Sequence, residues 1–272
     1  MRDPADCGSV AAMQNAPRSR QVRRLLAVVL TATMLGALVA PCPAGAEPAA
    51  IAAKQRVERK IFSDAEILDG FFKTAFGAEF HLAGRVDRIR KYDTPVRVFA
   101  DGADSPARRA QLARVIADIA ARVQHLDIAM ADSADAANVS VRLVRDRDLD
   151  STIARFYGAD RAREIHDSLD PQCLSGFRKN ERYEIQHSDV ILTVDNGDFV
   201  FLDCAYEELL QSLGPINDTD SVPWTMFNDD VQMGYFDVYD QYILNILYHP
   251  AIKAGMTVAE VKAVLPQVLV EV

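Results

Sequence analysis

Cys204-Ala-Tyr-Glu207-Glu208-Leu-Leu-Gln211-Ser-Leu-Gly214-Pro-Ile-Asn217-Asp218 is the stretch on which the reading of the fold turns. Asp203 stands before it as a candidate helix N-cap, and Gly214-Pro215 closes it. Glycine accepts the left-handed conformation past a helix end, and proline cannot continue a helix. A helix of about ten residues is expected between them. Helical spacing puts Cys204, Glu207, Glu208 and Gln211 on one stripe and Tyr206, Leu209, Leu210 and Leu213 on the opposite one. The pattern predicts a polar ridge facing one way and an apolar ridge anchoring the helix the other way.

Working outward, Asp189–Asp195 and Phe199–Leu202 read as two strands joined at Asn196-Gly197, a hairpin signal. Downstream come a polar loop over 217–235, a helix over Asp237–Tyr248 and a last helix capped by Thr257-Val-Ala-Glu260. Upstream, Val96–Ala100 and Asn138–Val144 read as strands, and residues 148–168 as helical with a break near Gly158. Ser105 and Pro106 open a helix with Leu112, Val115, Ile116, Ile119 and Val123 on one face. Its Arg108, Arg109 and Arg114 read as a solvated face. Ser63-Asp-Ala-Glu66 is a capping box that opens a helix carrying Ile67, Leu68, Phe71, Phe72 and Phe76, closed by Gly77. Strands and helices in this order predict one α+β domain over 63–272, a mixed twisted sheet packed against helices.

The N-terminal residues are set apart from that domain. Arg18, Arg20, Arg23 and Arg24 precede an uncharged apolar run from Leu25 to Ala40, and Ala44-Gly45-Ala46 follows as a small-x-small cleavage site. Residues 1–46 therefore read as a signal peptide, the run being short for a membrane span of about 20 residues. Met13 is an alternative start. Lipoprotein anchoring at Cys42 is disfavoured by Pro41 where a small residue is needed. Residues 47–62 show little pattern and read as a flexible lead-in. Removing five Arg and two Asp from 30 basic and 39 acidic residues leaves 25 and 37, a net charge of −12. Such a domain is a poor partner for nucleic acid or an anionic membrane. No later segment is apolar enough to span a bilayer. A periplasmic or secreted location follows. Cys173 and Cys204 remain, an even pair in an oxidising compartment, and a disulfide is predicted between them. Free buried thiols or thiol chemistry are the alternative, but no CxxC and no neighbouring His supports them.

The quoted stretch resembles the H-E-x-x-H-x-x-G-x-x-H motif of metzincin metallopeptidases. In that frame Glu207, Gln211 and Asn217 fall where three zinc-binding imidazoles belong, Glu208 falls on the general base and Gly214 on the glycine. Pro223-Trp-Thr-Met226 resembles the methionine turn under such sites, and Tyr239–Tyr248 the closing helix. The resemblance implies a zincin-like fold with a degenerate active-site helix. Cys204–Asp218, Thr225–Asp230 and Leu247–Met256 also resemble a proteobacterial family of exported proteins and lipoproteins known as domain of unknown function 2927, which implies export and supplies no activity.

The chemistry of these side chains narrows the function. Zinc favours Cys, His and carboxylate, whereas Gln211 and Asn217 offer neutral amide oxygens. Glu207, Glu208, Asn217, Asp218 and Asp220, with Asn228, Asp229 and Asp230 downstream, are oxygen donors of the kind hard cations take, but not in EF-hand spacing. Adjacent Glu207 and Glu208 can act as an acid–base pair, yet acids early in a helix are also favoured by its dipole. The five His show no ligand spacing; His187 precedes a strand. A nucleotide-binding glycine loop and a G-x-S-x-G elbow are absent. The expectation is a non-catalytic scaffold with no cofactor and no bound metal. Glu207, Gln211, Asn217 and Asp218 would form its binding surface for a peptide, protein or envelope polymer. The alternative is a peptidase-like hydrolase with Glu208 as general base.

Overall fold

The computed structural model describes residues 48–77, 87–169 and 172–272. Residues 1–46, expected from sequence to be a signal peptide and carrying Cys7 and Cys42, lie outside the described residues, as does His81. Helix α1 (Ala49–Val57) and helix α2 (Asp64–Ala75) come first. Strand β1 (Val96–Gly102), helix α3 (Pro106–Arg122), strand β2 (Ile128–Met130) and strand β3 (Val139–Val144) follow. Helices α4 (Leu149–Tyr157) and α5 (Ala159–Leu169) precede strands β4 (Cys173–Lys179) and β5 (Ile185–Thr193). Helices α6 (Asp198–Ser212), α7 (Val238–Tyr248) and α8 (Val258–Glu271) complete the chain.

The sheet runs in the order β2-β1-β3-β5-β4. The first four strands are parallel and β4 is antiparallel at the edge. This is the mixed sheet of a single α+β domain. Alternation along the strands sends Val98, Val139, Val141, Leu143, Val190 and Leu192 into the main core, where α3 and α6 pack. The opposite face is covered in part by α4 and α5, where Leu149, Ile153 and Ile165 meet Val144, Leu174 and Ile191. The capping boxes at Ser63 and Thr257 both form, and Ser105 caps α3 with Pro106 at its first position. Gly158, at φ +86, breaks α4 from α5 as expected.

Phe199–Leu202 is not a strand, and Asn196-Gly197 is not a hairpin turn. Strand β5 already pairs with β3 on one side and β4 on the other, so it has no free edge for a further strand. Phe199–Leu202 is instead the opening of α6, with Gly197 (φ +94) as its N-cap. A short apolar run without alternation fits either element, and here burial of Phe201 under α3 settles it as helix. The hairpin of the sheet lies upstream, between β4 and β5. Asn180 organises its turn by accepting from the N–H groups of Arg182 and Glu184 through Oδ1. Asp203 consequently sits inside α6 and caps nothing in that helix. Its Oδ1 accepts from the backbone N–H groups of Met233 and Gly234 at 2.6 and 2.8 Å.

Two further expectations change. The lead-in 47–62 contains α1, whose Ile51 is fully buried against Gly234. Past α1, Arg59 lies over the rings of Phe62 and Trp224 at 4.6 and 4.5 Å and pairs with Glu66 through both guanidinium nitrogens. These contacts tie the segment down despite its weak periodicity. Arg108 is not solvated. It is buried, donating to Val194 O, Gln111 and Asp198 over the ring of Phe201. Arg109 turns inward to the carbonyls of Ala100 and Ala103, and only Arg114 stays exposed.

Cys173 and Cys204 form the expected disulfide, with Cα atoms 5.9 Å apart across 31 residues. It bolts the edge strand β4 to α6. Closing a loop of that size contributes about 3–4 kcal/mol in the chain-entropy account. A thiol assay on the unfolded protein is expected to find no free thiol from this pair. Replacing both cysteines by serine should lower stability to chemical denaturation by roughly that amount; an unchanged midpoint would reject the assignment of this stabilisation to the cross-link.

Candidate functional site

Helix α6 carries the polar stripe, and its ends are set by glycine. Gly197 precedes it at φ +94 and Gly214 follows it at φ +141. A Cβ on Gly214 would stand 2.3 Å from the carbonyl oxygen of Arg90, so no other residue allows that approach. The turn is closed by the N–H of Gly214, which donates to Gln211 O at 3.0 Å. The two-sided reading of this helix does not hold. Tyr206, Leu209, Leu210 and Leu213 are buried as expected, but so are Cys204, Glu208 and Gln211 on the other stripe. Among the four polar-stripe residues only Glu207 is half-exposed. Strands β4 and β5 and helix α3 enclose the rest.

The side chains singled out by sequence then separate into groups. Gln211 donates from Nε2 to Asp218 Oδ1 at 2.5 Å, and its Oε1 lies at 3.5 Å from the hydroxyl of Ser175 on β4. It thus joins helix, edge strand and loop. Asn217 turns to α2. Its Nδ2 donates to Lys73 O at 2.8 Å and to Asp218 O at 3.1 Å, and its N–H donates to Thr74 O. Two carbonyls in the last turn of α2 are satisfied in this way. The amide oxygen packs over Gly77, where a Cβ would stand 2.9 Å from it.

Glu207 and Asp218 meet a third carboxylate, Asp229, with one oxygen of each within 4.8 Å of the others. Glu208 is buried away from this group, at 6% exposure. Its charge and that of Asp189 bear on the buried hydroxyl of Tyr157. Burial first, and these two charges after it, hold that phenol above its usual range. Asp189 Oδ1 accepts from His187 Nε2 at 3.2 Å when the ring carries its proton there. His187 lies within β5 rather than before it. Alternation places it on the opposite face from Ser188, whose hydroxyl donates to Ser212 O of α6. His187 therefore faces away from the α6 stripe.

The turn in the middle of the loop is held from α7. Thr225 donates its hydroxyl to Asp240 Oδ1 at 2.5 Å, and Met226 N–H donates to Asp240 Oδ2 at 2.8 Å. Met226 is buried in the main core, and Trp224 packs against Phe62. Beside the Asn217 turn lies a cleft of about 400 Å³ lined by Phe72, Lys73, Phe76, Asn217 and Thr219. A second, of about 420 Å³, continues past Phe72 and Phe76 to Leu68, Val258 and Lys262.

Of the residues read from sequence, Asp218 meets both Gln211 and Glu207, while Asn217 serves α2 and Glu208 is buried. Ser175 and the aromatic cleft went unread. Ser175 belongs to a strand whose Ser-Gly centre hides its alternation, and Phe72 and Phe76 pass for ordinary core on an amphipathic helix. The donor set does not fit zinc. It has no imidazole, and both amides at imidazole positions are engaged in bonds within the chain. Three converging carboxylates are chemistry for a hard cation or a basic group.

The family described as a protein of unknown function (DUF2927) matches residues 64–267. No curated protein matches the chain. No helix among the described residues is long and apolar enough to cross a membrane.

Replacing Asn217 by Ala strips the donor from Lys73 O and loosens the turn. A loss of about 1–2 kcal/mol in denaturant unfolding is expected, with faster amide exchange confined to residues near 214–219. Uniform exchange across the chain would contradict the local role.

Proposed function

The chain belongs to the DUF2927 family, whose description assigns no activity, and we propose that it is an exported, non-catalytic scaffold that binds a peptide or protein segment. One observation carries this reading. Gln211 and Asn217, in the positions where the metzincin-like frame would seat imidazoles, are engaged in holding the chain to itself. Burial of Glu208 supports it too, since a general base needs to reach its substrate.

The surface that remains is chemically distinct. Phe72 and Phe76, stacked at 5.7 Å between centroids, floor the cleft beside Asn217 and Thr219. Asp218, next in the chain, carries the carboxylate group shared with Glu207 and Asp229. An apolar side chain suits the aromatic floor and a basic one suits the carboxylates. The occupant is therefore a segment with Lys or Arg near an apolar residue, met in the periplasm or outside the cell.

Protein purified without chelator should retain no stoichiometric zinc after dialysis, and should cleave general peptide substrates no faster than its Glu208→Gln variant. Peptides pairing Leu or Phe with Lys or Arg should bind by calorimetry. Their affinity should weaken with salt and fall roughly tenfold or more in a Glu207→Gln, Asp218→Asn double variant. Retained zinc, or hydrolysis lost on Glu208→Gln with unchanged melting, would replace the scaffold with the hydrolase reading. Equal affinity for acidic and basic peptides would reject the assignment of the carboxylates.

A further inference from the structure

Asp237 and Asp240 stand one helical turn apart at the start of α7, and both are closed from solvent, at 2% and 0% exposure. Asp237 is the N-cap, its Oδ1 accepting from the N–H groups of Tyr239 at 2.8 Å and Asp240 at 3.2 Å. Both oxygens of Asp240 accept from the 225–226 turn, as described above. The remaining oxygen, Asp237 Oδ2, is buried and has no hydrogen-bond partner. An ionised carboxylate there would set a desolvated negative oxygen beside a second buried carboxylate.

The surroundings offer no relief. Glu58 faces α7 from the segment after α1, accepting from Val238 N–H. Tyr239 donates its hydroxyl to Glu66 O on α2, and Tyr235 brings a phenol from the loop. Of the cations on these neighbouring segments, Arg59 pairs with Glu66, Lys60 lies 4.0 Å from Glu58 and Lys73 pairs with Asp69.

We propose that Asp237 and Asp240 share one proton, and that this acid–carboxylate pair is a proton-dependent latch holding the Thr225–Met226 turn against α7. With the proton on Asp237, Oδ2 becomes a donor toward Asp240, and a single negative charge is left to accept from Thr225 and Met226. Without it, two charges face each other in a dry site, and the turn is released to let water in. The turn lies in the loop that carries Asp218 and Asp229, so the latch acts on the candidate surface whichever ligand that surface takes.

Burial, followed for Asp237 by the charge of its neighbour, holds both acids above the usual carboxylate range. The sign follows. The unfolded chain releases these protons in the ordinary carboxylate range, whereas the folded chain keeps one of them at higher pH. The stability is fully present at the acid end of that interval and is lost as pH rises through the raised value. One proton corresponds to about a tenfold fall in the folding equilibrium per pH unit.

Trp224 is the chain's one tryptophan and sits two residues before Met226, so its emission reports the turn. An Asp237→Asn variant keeps the cap acceptor, and its amide donates toward Asp240 at every pH. Titration from mildly acidic to alkaline pH should shift Trp224 emission and lower the melting temperature in the wild type, with both responses flattened in Asp237→Asn. Infrared spectra of aspartate-labelled protein, recorded from just above the ordinary carboxylate range upward, should contain the carbonyl band of an un-ionised carboxylic acid in the wild type and lose it in the variant. Absence of that band from the wild type, or matching titrations of the two proteins, would overturn the latch. Absence of the wild-type band overturns the latch even if the variant does not fold.

Discussion

Helix α6 is enclosed on nearly every side, and a helix with polar residues can be enclosed only when other segments come to meet them. Burial of an unmatched polar group costs kcal/mol, a large part of a domain's net stability. Met233 and Gly234 bring backbone N–H groups to Asp203, and Asp218 and Ser175 come to Gln211. The disulfide then fixes the same helix to the sheet edge. The irregular course of residues 213–237 follows from these demands. Few of its side chains pair with one another across long distances; the loop is shaped mostly by what α2, α6 and α7 require of it.

Legibility of the sequence tracked how local the determinants were. Caps at Ser63, Ser105 and Thr257 were readable because the donor and acceptor stand within four residues. The break at Gly158 was readable for the same reason. Strand β4 was not, since its identity depends on Cys204 and on pairing with β5, and β2 is three residues long. The error at Asn196-Gly197 had one root. A turn signal beside an apolar run is satisfied equally by a hairpin and by a helix start, and only the occupied edges of β5 distinguish them. In the candidate site, helical spacing put Glu207, Glu208 and Gln211 on one stripe, whereas Asp218 lies beyond the end of the helix. It could not tell that the Glu208 side of the helix would be covered, because that cover comes from β4 and β5.

Charge is handled differently inside and at the rim. Near the surface, acids are paired locally. Glu66 is held down to about 2 by Arg59 first and then by Ser63, and Asp127 is lowered by Arg97. Inside, Lys91 is buried with its ammonium donating to Leu247 O and Ile252 O over the ring of Tyr248, so it caps the end of α7. Burial lowers its pKa to about 8, which leaves most of its charge in place at neutral pH. Such a cation at one end of α7 and the acid pair at its start both follow the helix dipole, each charge lying where the backbone favours it.

The loop that bears the candidate surface is therefore fastened at three separated points. Asn217 ties its beginning to α2, Asp240 ties its middle to α7, and Asp203 ties its end to α6. A segment anchored in this way loses little freedom when a ligand arrives, and the ordering cost that weakens most loop-borne sites is met during folding. Rigid placement also keeps the carboxylates of Glu207, Asp218 and Asp229 within reach of one another.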